Sequence, residues 1–147
     1  MQFAPKDPDW EARVRGSFAA QAFMSYLGAE LCHVAPGAVD IELALRLELT
    51  QQHGFFHAGS TTSIADSAAG YAALTLFPAG SGVLTTEFKM NLLNAARQPR
   101  LLARGRVVKL GRTLTICRGD VYGLGEDEQV HVATGLFTMM CLSGMED

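Results

Sequence analysis

From Val39 to Leu49 every second residue is apolar: Val39, Ile41, Leu43, Leu45, Leu47 and Leu49 alternate with Asp40, Glu42, Ala44, Arg46 and Glu48. A period of two predicts a strand with one buried face. An earlier strand around Glu30–Ala35 turns into it through Pro36-Gly37. Upstream the period is four: Trp10, Val14, Phe18, Ala22 and Tyr26 predict one or two short helices broken near Gly16, with their apolar stripe packed on the domain. Met1–Asp9 reads as a loose arm. After a turn at Pro78–Gly82 the alternation returns, with Leu84, Thr86, Phe88, Met90 and Leu92 on one face and Thr85, Glu87, Lys89 and Asn91 on the other. Two further strands, Leu101–Leu110 and Arg112–Tyr122, meet at a tight turn on Gly111. Gly123–Asp127 is a polar loop, and Gln129–Cys141 is the last strand.

Between these two β regions lies Gln51–Phe77, QQHGFFHAGSTTSIADSAAGYAALTLF, which passes through Gly59 into a helix of about five turns that Pro78 stops. Of the twenty residues from Ala58 to Phe77, fourteen are Ala, Gly, Ser or Thr, so other backbone can approach it on several sides. That suits a central helix wrapped by a sheet better than a surface helix. Four consecutive hairpin-linked strands after it imply an antiparallel sheet whose concave face takes the helix, an α+β fold. One residue conflicts with so apolar a helix. A carboxylate at Asp66 is costly to bury unless something needs it.

The 147 residues form one domain, residues 1–147, large enough to bury most of its apolar surface. Fifteen acidic and twelve basic residues give a net charge of -3, and the basic ones are scattered, which argues against a nucleic-acid partner. Cys32, Cys117 and Cys141 are odd in number and widely spaced, without a zinc or redox motif. A reducing, cytoplasmic setting is expected, and no run is apolar and long enough for a membrane span. The sequence contains neither a glycine-rich nucleotide loop nor a nucleophile elbow, and no metal is expected.

Five pieces carry a resemblance. HAG at His57–Gly59, IAD at Ile64–Asp66, SAAGYAA at Ser67–Ala73, LTTEFKMNLL at Leu84–Leu93 and VVKLGRT at Val107–Thr113 together resemble the hot-dog-fold acyl-CoA thioesterases of the phenylacetate-pathway type. The likeness runs from Leu31 to Met140. It implies a curled antiparallel sheet around one helix, dimers joined edge to edge and commonly paired into tetramers, and hydrolysis of a thioester to a free acid and coenzyme A. No bound cofactor is implied, since coenzyme A arrives as part of the substrate.

On this reading Gly59 opens the helix, where unpaired N–H groups and the positive dipole end can hold an oxyanion. Asp66 is seven residues further, roughly 10 Å along the axis, so one thioester carbon cannot touch both within one subunit. A site using both is built between two chains. Asp66 is then a general base on water or a nucleophile that forms an anhydride; the residues leave both open. His57 can bond the substrate carbonyl or orient its loop; His53 is the weaker candidate.

The resembled enzymes often carry a water-positioning asparagine six residues before this histidine, where Gln51 stands here with Gln52 beside it. They can also carry a hydroxyl helping the acid or water at the position of Thr85 or Thr86. Alternation favours Thr85, because Thr86 shares the helix-facing side with Phe88 and Met90. Arg112 and Thr113, with Lys109 and Arg106 close by, are candidates for the coenzyme A phosphates. Phe55, Phe56, Tyr71, Phe77 and Met90 fit an acyl pocket and an ordinary core equally well. Two rival functions remain: a non-catalytic acyl-CoA-binding scaffold, suggested by Gln51, and a hot-dog dehydratase using His57 with Asp66.

Overall fold

The computed structural model describes residues 3–145. Its elements in order are α1 (Trp10–Ala20), α2 (Ala22–Leu27), β1 (Ala29–Ala35), β2 (Ala38–Ala44), a 3-10 turn at Leu47–Leu49, α3 (Ala58–Leu74), β3 (Ser81–Leu92), β4 (Arg100–Lys109), β5 (Leu114–Leu124) and β6 (Gln129–Ser143). The six strands form one antiparallel sheet in the order β1-β2-β4-β5-β6-β3. It curls around α3, the hot-dog arrangement that the sequence resemblance implies.

The small side chains of α3 are what let the sheet close on it. A Cβ at Gly105 of β4 would lie 2.1 Å from the Ala68 carbonyl oxygen, so strand and helix backbones touch there. Around that contact Val39, Ile41 and Leu43 of β2, Ile64 and Leu74 of α3, and Phe137 and Met139 of β6 are fully or almost fully buried. Each such side chain contributes roughly 1.5–3 kcal/mol of burial.

The helix is three residues shorter than expected. Its last turn tightens, with Leu76 N–H on Ala73 O and Phe77 N–H on Leu74 O, before Pro78. One guanidinium gathers the carbonyls left over. Arg13 donates to Leu74 O at 3.0 Å, Phe77 O at 2.9 Å and Pro78 O at 2.7 Å, and the Asp7 carboxylate lies 3.2 Å from its Nε. This clamp pins α1 to the end of α3. It also ties down the expected loose arm: Asp7 is buried, and Phe3 packs beside Gly37, while Met1 and Gln2 lie outside the described residues.

Three expectations about the elements need correction. The break between the N-terminal helices is at Gln21 (φ -74°, ψ 99°), and Gly16 lies inside α1. That break resets the helical phase, so Met24 and Leu27 are buried and Tyr26 is 73% exposed. β2 ends at Ala44, because its partner β4 begins at Arg100 and Pro99 has no N–H to extend the ladder. The alternation continues in letters only: Leu47 is 83% exposed. Finally, β4, β5 and β6 are hairpin-linked but β3 pairs with β6. The segment 93–99 leads across to β4 past the start of α3, where Ala96 O accepts from Phe56 N–H and Val132 O accepts from Leu93 and Asn94 N–H.

Candidate functional site

The start of α3 is capped by its own histidine. His57 has extended backbone, and its Nδ1 accepts from Gly59 N–H at 2.8 Å, which fixes the ring proton on Nε2. The His57 carbonyl accepts from Ser60 and Thr61 N–H. The amide left over is that of Ala58, which makes no hydrogen bond among the described residues. So Gly59, the expected oxyanion donor, already gives its N–H to His57. Its lack of a side chain serves the cap: a Cβ there would stand 2.9 Å from His57 Nδ1.

Ala58 and His57 line a cleft of about 560 Å³ together with Gln51, Gln52, Phe55, Phe56 and Leu93. Gln51 sits in a tight turn in which its Oε1 accepts from His53 N–H and its carbonyl from Gly54 N–H. The Gln51 Nε2 makes no hydrogen bond among the described residues. Arg97 stacks over the Phe55 ring at 4.9 Å.

Asp66 faces a different cleft, of about 360 Å³, lined by Ser17, Gln21, Ser67, Gly70, Tyr71, Val83, Leu84 and Thr85. Thr85 Oγ1 donates to Asp66 Oδ1 at 2.7 Å. Burial raises the carboxyl pKa above its ordinary value and the Thr85 hydrogen bond partly offsets this. Thr85 reaches Asp66 by a route opposite to the expected one. β3 carries a bulge at Thr86, between Thr85, paired with Met139, and Glu87, paired with Thr138. The extra residue switches the faces, so Thr85 points to the helix and Thr86 bonds the Thr138 carbonyl.

No residue lines both clefts. Within one chain the structure brings Gln51, His57 and the helix start together, and Asp66 with Thr85, and leaves the two groups apart. Among the phosphate candidates, Lys109, Arg112 and Thr113 are exposed at the β4–β5 turn. Arg106 is not with them: it projects from mid-strand and is committed to the Asp40 carboxylate and the Val39 carbonyl. Phe77 is core, and Met90 packs against the core beside Gly135 rather than lining either cleft. Ser17, Gln21 and Ser67 escaped the sequence reading. A break between two helices is what carries Gln21 to Asp66, and no residue at that break marks it.

Known proteins share this fold. The sequence model of the thioesterase superfamily matches residues 53–129. A thioesterase family protein from Silicibacter pomeroyi is 44% identical, the match covering 92% of this chain and 99% of that one, with a TM-score of 0.90. The PaaI protein of the phenylacetic acid degradation operon of E. coli is 17% identical over 93% and 96%, with a TM-score of 0.83. A thioesterase from Haemophilus influenzae is 18% identical over 88% and 89%, with a TM-score of 0.79. These last two share the fold. No curated protein is significantly similar in sequence.

Proposed function

The chain belongs to the thioesterase superfamily and is a thioester hydrolase, and from that premise we propose that it cleaves acyl-CoA thioesters with an aromatic or short to medium acyl group. The observation that carries the reading is Asp66, a partly buried carboxylate hydrogen-bonded by Thr85 on the wall of a cleft. Such a group is short of partners for its charge and correspondingly basic.

Asp66 takes a proton from water as the water attacks the thioester carbonyl, or attacks the carbonyl itself to give an anhydride that water then opens. In either case the carbonyl oxygen gains charge, and the free amide of Ala58 at the positive end of α3 is the donor best placed for it. His57 Nε2–H and Gln51 Nε2 reinforce that end and hold the water. The thiolate of coenzyme A leaves and is protonated.

Since the two groups stand apart on one helix, the working site takes Ala58 from one chain and Asp66 from a second. β3 supports this pairing: it is an edge strand of twelve residues with Leu84, Phe88 and Leu92 exposed, the kind of edge that recruits another strand. A dimer, or a dimer of dimers, follows. The exposed Lys109–Thr113 turn is offered to the coenzyme A phosphates.

The test is release of free thiol from a panel of acyl-CoA thioesters by wild type and Asp66→Asn. Loss of about a hundredfold or more in a folded variant supports the assignment. Formation of an unsaturated acyl-CoA without thiol would point instead to a dehydratase.

A further inference from the structure

The Thr85 hydroxyl has one hydrogen and two acceptors. Asp66 Oδ1 lies 2.7 Å from its oxygen and Met139 Sδ lies 3.4 Å from it, so the two bonds are alternatives. Met139 is fully buried and stands cross-strand from Thr85 on β6. A Cβ at Gly70 would be 3.9 Å from its sulfur, which places the thioether under the turn of α3 that carries Asp66. A thioether is a weak acceptor, and against an ionised carboxylate it loses the hydrogen.

The balance changes when Asp66 gains a proton. A proton on Oδ1 directed at Thr85 fills the 2.7 Å gap, which has room for one hydrogen, and Thr85 Oγ1 becomes the acceptor. The Thr85 hydrogen must then turn, and Met139 Sδ is the other acceptor within reach. A hydroxyl hydrogen left without a partner at such a site would destabilise the protonated state.

Resting on the hydrolase reading above, we propose that Met139 is a positioning residue for the base: its sulfur receives the Thr85 hydrogen when Asp66 takes a proton from water, and releases it when Asp66 is ionised. The water proton ends on Asp66 Oδ1, the hydroxide goes to the thioester carbon, and Thr85 keeps its own hydrogen while it rotates. Thr85 turns back once Asp66 passes the proton to the leaving thiolate. The sulfur serves the base route, since an acylated Asp66 has no proton to direct at Thr85.

No charged side chain other than Asp66 lines the cleft, and the influences on its carboxyl are burial and the Thr85 bond. The other titratable groups turned toward α3 are its own Tyr71 and the thiols of Cys117 on β5 and Cys141 on β6; burial pushes the Cys117 thiol up to about 12. On α1, Arg13 is engaged with Asp7 and the last carbonyls of α3. The facing residues of β2 and β4 are apolar or glycine.

The experiment locates the acid limb of kcat/KM and, without turnover, the carboxyl titration of Asp66 by carbon NMR. It uses wild type, Met139→Leu, Thr85→Val and the double variant. Leucine keeps the volume and removes the acceptor; Met139→Ile repeats the test with a side chain suited to a strand. Met139→Leu is expected to move both midpoints to lower pH by about half a pH unit, opposite to Thr85→Val, and to move nothing further once Thr85 is valine. An unmoved midpoint, a move to higher pH, or an equal shift with and without the Thr85 hydroxyl overturns the inference and leaves the hydrolase standing. If wild type releases no thiol from any thioester, the hydrolase reading falls and the catalytic use of the sulfur with it, while the carboxyl titration still decides the exchange.

Discussion

Thr85 meets Asp66 across 2.7 Å because β3 carries one residue too many at Thr86. The bulge turns a hydroxyl that simple alternation would aim away from α3 into the donor that faces its carboxylate. Burial and this bond act on Asp66 in opposite directions, burial being the stronger.

The acid limb of the pH–rate profile follows from that opposition. Asp66 works ionised, so kcat/KM falls as pH drops through its native pKa, which lies above the ordinary 3.8. Thr85→Val removes the bond that favours the charged form and moves this limb to higher pH. A profile from about pH 4 to 8 on both proteins checks it, and a limb that stays put would separate Thr85 from the titration.

Asp66→Asn should gain stability as it loses activity. The native pKa is raised, so ionisation opposes folding: this contribution to stability is fully present below the ordinary carboxyl pKa and is lost as pH rises through the native one. The asparagine variant avoids that loss and can still accept from Thr85. Its Tm should exceed wild type by a few degrees at neutral pH, with the gap closing toward about pH 3.

Ala58→Pro isolates the free amide. Ala58 is the first helical residue, a position that accepts proline, and His57 before it already has the extended backbone that proline requires (φ -64°, ψ 142°). The substitution deletes one N–H and keeps the helix, so kcat should drop by about 10²–10³ with little change in Tm. Mixing unfolded Ala58→Pro and Asp66→Asn chains and refolding them together should restore activity to about a quarter of wild type, because half of randomly paired dimers carry one intact site of two. Activity that fails to return would place the Ala58 amide and the Asp66 carboxylate of each site within a single chain.

The cysteines bear on any thiol-release assay. Cys117 is buried on β5 and its pKa is pushed up to about 12, whereas Cys32 is exposed, its pKa raised by burial of the sulfur and by Glu42 and Asp40. A thiol reagent on native protein should therefore count Cys32 early and Cys117 only after denaturation.

What the sequence made legible was whatever repeats with a fixed period or carries its own punctuation. The small-residue run of α3, its stop at Pro78, the Pro36-Gly37 turn and the three hairpin strands all fall in that class. The bulge at Thr86 did not, since an inserted residue looks like any other threonine; Thr85 was named, but from a face it does not occupy. Gln21 breaks the N-terminal helices with no glycine or proline to mark it, while Gly16, which looks like a break, is helical. The alternation through Leu45 and Leu47 outlasts its strand because strand length depends on the partner, here cut off at Pro99. The His57 cap on Gly59 is a side-chain choice made in three dimensions.

Ala58 and Asp66 lie eight positions apart on one rigid rod, and that spacing has a consequence for symmetry. In a two-fold pair that sets each Ala58 against the partner's Asp66, the two helices run in opposite directions and the axis must pass them midway, at Thr62. Thr62 and its neighbour Ser63 are small and only partly covered in the single chain. A large side chain at Thr62 would wedge the rods apart and open both sites at once, touching neither the amide nor the carboxylate.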